Sequence, residues 1–272
     1  MATPPGSFIW YELLTTDLDG ARDFYGAVVG LVIPAEPTPG PMDYRMIGTP
    51  GGETVGGTMQ LTPAMSEGGA RPGWFGYVGV DDVDATVTKI AAAGGQVKMP
   101  PTDIPQAGRI AMVADPQGAP FYVMRPTPPP GAEDTDSCVF HPEKAGHVAW
   151  NELHARDGAN AFDFYADQLG WEKSDAMDMG PMGTYQMFKV GGTDQAIGGM
   201  MTSPEMPQPT WLYYFNVPDI DETLERIKAN GGKVNYGPGE IPGGYFIIQG
   251  NDPQGAMFAV VGPRKGAQAD AA

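Results

Sequence analysis

Apolar and polar positions along this chain switch between a two-residue and a three-to-four-residue period, and the switches mark the elements. Phe8, Trp10, Glu12 and Leu14 share one face by the two-residue period, which predicts a strand. Asp17 then stands where a helix N-cap is expected, and Ala21, Phe24, Tyr25 and Val28 recur at i, i+3, i+4 and i+7 as one apolar stripe. Short strands are predicted near Tyr44 to Ile47, Val55 to Leu61 and Phe75 to Val80. A second helix carries Val83, Val87 and Ile90 and stops at Gly94-Gly95. A hairpin closes the series, running from Ile110 to Val113, turning at Asp115-Pro116-Gln117-Gly118 and returning from Phe121 to Met124. Proline second and glycine fourth suit a type I turn.

The series occurs twice. Residues 10 to 31 align without a gap to residues 150 to 171 at an offset of 140, with nine of 22 pairs identical, where ordinary residue usage gives about one or two. The identities include Trp10/Trp150, Glu12/Glu152, Asp17/Asp157, Phe24/Phe164 and Tyr25/Tyr165. Further along, Tyr44 meets Tyr185, Gly56-Gly57 meets Gly198-Gly199, Trp74 meets Trp211, and Asp-Pro-Gln-Gly recurs at 252–255. Two copies of one α+β fold follow, each reading β-α-β-β-β twice. Between them the prolines of residues 126 to 145 cannot donate to a ladder and form a linker.

Composition narrows the partners. With 16 Lys plus Arg against 33 Asp plus Glu, the net charge of −17 repels phosphate backbones and anionic lipid, so neither nucleic acid nor a membrane surface is an expected partner. A single cysteine, Cys138, excludes an intrachain disulfide framework and a cysteine metal cage. No signal-peptide pattern opens the sequence and no apolar stretch approaches the ~18 residues of a membrane span, so a cytoplasmic protein is expected.

The order of elements, the strand-Asp-helix-Phe-Tyr-Gly-Leu opening and the Asp-Pro-Gln-Gly hairpin resemble the vicinal oxygen chelate family of glyoxalases, bleomycin-resistance proteins and extradiol dioxygenases, from about Ser7 to Pro263. More narrowly, the chain is similar to tandem two-domain bacterial proteins labelled glyoxalase-like or hydroxylase. This resemblance implies two tandem vicinal-oxygen-chelate domains, each of two βαβββ modules with cupped mixed sheets. Their expected bounds are 7–125 and 146–263, with the Pro-rich linker 126–145 between them and a tail at 264–272. In metal-dependent members the cup holds a divalent cation on His, Gln or Glu. Here the matching places fall on Trp10 and Trp150, near Phe75 and Leu212, and on Tyr122 and Ala259, while residues 55–62 and 197–203 contain no His, Asp or Glu. Such side chains do not bind a hard or borderline cation, so no metal and no cofactor is expected. The three histidines, His141, His147 and His154, lie in or just after the linker and read as solvated or hydrogen-bonded side chains.

Trp10, Tyr44, Phe75, Tyr122, Trp150, Tyr185 and Leu212 would instead line an aromatic concavity for a small molecule, unless the aromatics simply fill core. Trp74, Tyr77, Trp211, Tyr213 and several methionines would add adaptable surface. Glu12 and Glu152 lie two residues beyond their tryptophans and point to the same face, where a carboxylate needs a partner: an arginine such as Arg45, Arg109 or Arg125, a tyrosine hydroxyl, or a ligand. Either they tie strands together or, desolvated, they are catalytic bases, with Tyr44 and Tyr185 donating to an oxyanion. Two functions therefore stand at this point: metal-independent binding of a small, partly aromatic molecule, and acid/base catalysis by a lyase, isomerase or hydroxylase. A metal-dependent glyoxalase or dioxygenase is the third and weakest. The chain is either a monomer of two domains or a homodimer.

Overall fold

The computed structural model describes residues 3–40, 42–128 and 137–265, so residues 129–136 of the linker and 266–272 of the tail lie outside the description. The first copy runs β1 (Phe8–Thr15), α1 (Leu18–Val28), β2 (Tyr44–Gly48), β3 (Thr54–Gln60), α2 (Pro63–Glu67), β4 (Gly73–Gly79), α3 (Val83–Ala92), β5 (Gln96–Ile104), β6 (Gly108–Ala114) and β7 (Pro120–Pro126). The second runs β8 (Val148–Ala155), α4 (Gly158–Leu169), β9 (Trp171–Asp178), β10 (Thr184–Val190), β11 (Ala196–Thr202), β12 (Thr210–Asn216), α5 (Ile220–Ala229), β13 (Lys233–Ile241), β14 (Tyr245–Asn251) and β15 (Met257–Pro263). The strands form two mixed sheets, one of seven and one of eight.

The α+β fold of two tandem domains with mixed sheets is as expected, and the copies differ by one strand in the opening module. Where the second copy places β9, the first has Pro34, Pro37 and Pro39 and only a single bridge, Val32 to Gly48. Prolines lack the N–H that a ladder needs, so this stretch cannot add to the sheet.

Caps and stripes follow the sequence closely. Asp17 and Asp157 cap α1 and α4 by accepting from the N–H groups of Gly20 and Asn160. The buried face of α1 is Leu18, Ala21, Phe24, Tyr25 and Val28.

The described chain divides into two compact units, and each takes segments from both copies. Unit I comprises Met1–Trp10, Phe75–Ser137 and Trp150–Leu212; unit II comprises Tyr11–Trp74, Cys138–Ala149 and Tyr213–Ala272. Within unit I the strand orders are β4-β7-β6-β5 and β8-β11-β10-β9; within unit II they are β2-β3-β1 and β13-β14-β15-β12.

Each unit is closed by the same three-residue hydrogen-bond network. In unit II the buried Tyr25 hydroxyl donates to Asp252 Oδ2 at 3.0 Å and accepts from Trp74 Nε1 at 2.8 Å. In unit I Tyr165 donates to Asp115 Oδ2 at 3.2 Å and accepts from Trp211 Nε1 at 3.1 Å. The Phe-Tyr helix of one copy is thus tied to the Asp-Pro-Gln-Gly turn of the other. Asp115 Oδ1 also accepts from the N–H groups of Gln117, Gly118 and Ala119, which lets a buried carboxylate survive. Burial nevertheless pushes the Asp115 and Asp252 carboxyls up from their usual range. Trp74, Trp211 and Tyr213 belong to this interior: all three are buried, which corrects their assignment to a ligand surface. They sit one position out of phase with Phe75 and Leu212, so the pleat sends them to the other face.

Candidate ligand-binding site

Trp150, Glu152 and His154 occupy alternate positions of β8 and therefore one face. Tyr185 lies two strands away on β10, with β11 between, and its ring crosses β11 to reach the carboxylate. It crosses at Gly199, the residue in register with Glu152, and a Cβ there would collide with the ring. Gly198 beside it is held free of a side chain by the carbonyl of Asn151. The repeated glycine pair is thus explained by two close approaches, one of backbone and one of a tyrosine.

The contacts form a directed chain. Trp150 Nε1 donates to the Tyr185 hydroxyl at 2.6 Å, and that hydroxyl donates to Glu152 Oε2 at 2.8 Å. Glu152 Oε1 lies 2.8 Å from His154 Nε2, and His154 Nδ1 lies 2.8 Å from Ser203 Oγ. The Nε2–Oε1 approach is close but poorly aligned, so Nε2 is buried without a well-formed hydrogen bond. Burial and the neighbouring Glu152 push the Tyr185 hydroxyl well above its usual range, which keeps its proton available for donation. Trp150 is half-buried at the accessible end, while Tyr185, Glu152, His154 and Ser203 are buried behind it.

Unit II holds part of the corresponding arrangement. Glu12 is buried, Gly57 is its register partner on β3, and a Cβ on Gly57 would collide with the Tyr44 hydroxyl. At the places of His154 and Ser203 the first copy has Leu14 and Leu61, both buried. Trp10 of the same strand falls in unit I and is half-buried.

Of the remaining sequence-derived positions, Phe75 and Tyr122 come together in unit I. Their rings meet edge to face at 6.1 Å, and Tyr122 stacks on its register partner Tyr77 at 4.2 Å. Leu212 is only 1% exposed and is a core side chain. Two of the three candidate arginines go elsewhere: Arg45 pairs with Asp19 and Asp43, and Arg109 with Asp84 and Asp103. A depression of about 550 Å³ against α4 is lined by Pro116, Gln117, Asp157 and Phe164, but Gln117 spans it with two hydrogen bonds to the Asp157 backbone.

Sequence reasoning missed His154. Its parity with Trp150 and Glu152 was the available signal, and its place near the linker obscured it. His141 and His147 are hydrogen-bonded as expected: His141 Nδ1 accepts from two backbone N–H groups, and His147 Nδ1 lies 2.7 Å from the Cys138 carbonyl. Among the described residues no three His, Cys, Asp or Glu side chains are grouped so as to hold a metal ion.

The chain matches the Glyoxalase/Bleomycin resistance protein/Dioxygenase superfamily over residues 7–123 and 144–260. It is 36% identical over 256 residues to "Putative glyoxylase CFP32" of Mycobacterium tuberculosis (strain CDC 1551 / Oshkosh), covering 93% of this chain and 94% of the relative. It is 31% identical over 272 residues to "Anthracycline biosynthesis protein DnrV" of Streptomyces peucetius, covering 96% and 95%. The Mn(II)-bound glyoxalase from Novosphingobium aromaticivorans shares the fold with a TM-score of 0.61 at 18% identity, over 95% of this chain and 82% of that one. The chain belongs to the glyoxalase/bleomycin resistance protein/dioxygenase superfamily, as a tandem of two such domains.

Proposed function

We propose that the protein is a metal-independent binder of a small, partly aromatic molecule, with Trp150 as the stacking plate of the second copy and residues 7–125 and 146–263 as its two functional domains. The observation that carries this reading is the engagement of Trp150 Nε1 by Tyr185, itself anchored on Glu152. An indole fixed at its only polar atom presents a preorganised apolar face, and preorganisation lowers the entropic cost of binding. The Tyr185 hydroxyl already bonds Glu152 Oε2, which argues against that carboxylate acting as a free base. A relative named for anthracycline biosynthesis supports an aromatic ligand, and in the first copy the half-exposed Phe75, backed edge to face by the buried Tyr122, supplies the matching surface.

The test is a fluorescence-quenching screen of small aromatic and carbonyl compounds against wild type, Trp10→Ala, Trp150→Ala, Glu12→Gln and Glu152→Gln. Stacking contributes about 0.5–1.5 kcal/mol beyond area burial, so Trp150→Ala should weaken a ligand of the second copy by roughly tenfold. A ligand whose affinity is untouched by all four changes would remove the assignment, and turnover abolished by Glu12→Gln or Glu152→Gln would move it to acid/base catalysis. Chelator should leave the melting temperature unchanged, since only a bound metal would be lost from the native state.

A further inference from the structure

The two units carry the same cross-strand row with different side chains in it. In unit I Met99, Met112, Tyr122 and Tyr77 are register partners in turn across β5, β6, β7 and β4. In unit II the places at an offset of 137 hold Tyr236, Gln249, Ala259 and Tyr214, again partners in turn, across β13, β14, β15 and β12. Register partners share a face of the sheet, so each row is one continuous strip. In unit I the Tyr122 ring stacks on Tyr77 at 4.2 Å and two thioethers follow it. In unit II Ala259 omits that ring, and across β15 Gln249 Nε2 donates to the Tyr214 hydroxyl at 2.6 Å. Tyr214 is buried and Gln249 half-buried, so an inaccessible phenol orients an accessible carboxamide. Tyr236 ends the row. It is 54% exposed, yet a Cβ on Gly239 would collide with its ring, so the ring lies against that backbone. The register shifts on both sides of Tyr236, and such bulges re-aim a side chain.

We propose that Tyr236 and Gln249 form a second ligand site, within unit II, for an aromatic ring that bears a hydroxyl or amide N–H and no negative charge. Tyr236 stacks on the ring, and Gln249 accepts the hydrogen bond. With Nε2 given to Tyr214, the planar carboxamide turns Oε1 away from that phenol, and an amide oxygen has two lone pairs for donors. No residue of the row is a cation, and the net charge of −17 repels an anion. A thioether is only a weak acceptor, so Met112, at the place of Gln249, does not offer the same bond. The row of unit I suits an apolar ring, and that of unit II suits a ring with a proton to donate.

This inference rests on reading the protein as a small-molecule binder but not on Trp150, and its test keeps the two sites apart. The full-length protein is titrated at neutral pH with 2-naphthol, with 2-methoxynaphthalene, which keeps the ring and the oxygen but has no proton to donate, and with 2-naphthoate. NMR follows the Gln249 side-chain amide, assigned by its loss in Gln249→Met, the Gly239 backbone amide, and the Trp150 indole N–H, assigned by its loss in Trp150→Phe. The expected result is a saturable movement of the Gln249 and Gly239 signals. 2-Naphthol should bind more tightly than 2-methoxynaphthalene by roughly two- to tenfold, the effect of one hydrogen bond, and 2-naphthoate should bind most weakly. Gln249→Met and Tyr236→Met import the side chains that the first copy carries. Read at Gly239, the first should erase the preference for 2-naphthol, and the second should weaken both neutral ligands several-fold. A Gln249 signal unmoved by all three compounds overturns the proposal. So does a preference that survives Gln249→Met, an affinity untouched by Tyr236→Met, or 2-naphthoate binding as tightly as 2-naphthol. Movement of the Trp150 signal without that of Gln249 overturns this site and leaves the Trp150 site standing, and movement of Gln249 without Trp150 does the reverse.

Discussion

At the scale of single residues, the site depends on a glycine as much as on its aromatic side chains. Gly199→Ala places a methyl inside the Tyr185 ring, so the ring must leave Glu152 and release Trp150. We expect Gly199→Ala to destabilise more than Tyr185→Phe, which keeps the ring and loses only the hydroxyl. Tyr185→Phe leaves a buried carboxylate short of one donor, a cost of about 1–3 kcal/mol readable by urea denaturation. If the alanine variant is as stable as wild type, the crossing of β11 by Tyr185 is not as described. Trp150, Glu152 and Tyr185 were legible in the sequence because a two-residue period and a repeat offset place them without knowledge of the fold. Depth was not legible: Leu212 matches Phe75 in the repeat, yet it is fully buried while Phe75 is half-exposed. His154 was legible by parity alone.

At the scale of elements, the strongest sequence motifs turn out to be ties between elements. Asp-Phe-Tyr and Asp-Pro-Gln-Gly were readable as a helix and a turn, but Tyr25 and Asp252 are 227 residues apart and no local pattern reveals that they bond. Tyr25→Phe and Tyr165→Phe should each cost about 1–3 kcal/mol, since each leaves an indole N–H and a buried carboxylate oxygen without this hydroxyl. Denaturation of the two single variants checks this, and a loss below the error of the method in both would show the networks to be incidental. A second tie joins the approach to β8 with the start of β3, where Lys144 Nζ lies 2.9 Å from Glu53 Oε1 and Thr49 donates to Oε2. The Lys144 hydrogen bond, then that of Thr49, brings the Glu53 carboxyl from its ordinary 4.5 to about 2. A lowered carboxylate pKa means the unfolded state takes up protons first, so this contribution is present above pH 4.5 and fades as pH falls toward about 2. The difference in melting temperature between wild type and Glu53→Gln should therefore be constant above pH 4.5 and close as pH falls from there toward about 2. A difference that persists unchanged at pH 2 would show that the pair contributes nothing through charge.

At the scale of the molecule, the two copies read as consecutive domains in sequence, whereas each compact unit is assembled from parts of both. Length and repeat made the duplication legible; the exchange was not, because it depends on which buried faces meet. A protein of residues 1–128 alone would carry Tyr25 without Asp252 and Asp115 without Tyr165. We expect such a fragment to sediment as a homodimer, in which Asp115 of one molecule takes the place of Asp252 for the other, or else to lack a cooperative melting transition. A stable, cooperatively folded monomer would contradict this. Cleavage within residues 129–136 of the intact chain should leave both halves together on a sizing column. The exchange also bears on heredity. In a homodimer of single copies one gene writes both halves of every unit, and a change such as leucine to histidine at position 14 would appear at both sites at once. Fusion into one chain gives each half its own codons while keeping the partnership covalent, so Leu14 and His154 are free to differ, and one site can acquire a trait that its twin never has to tolerate.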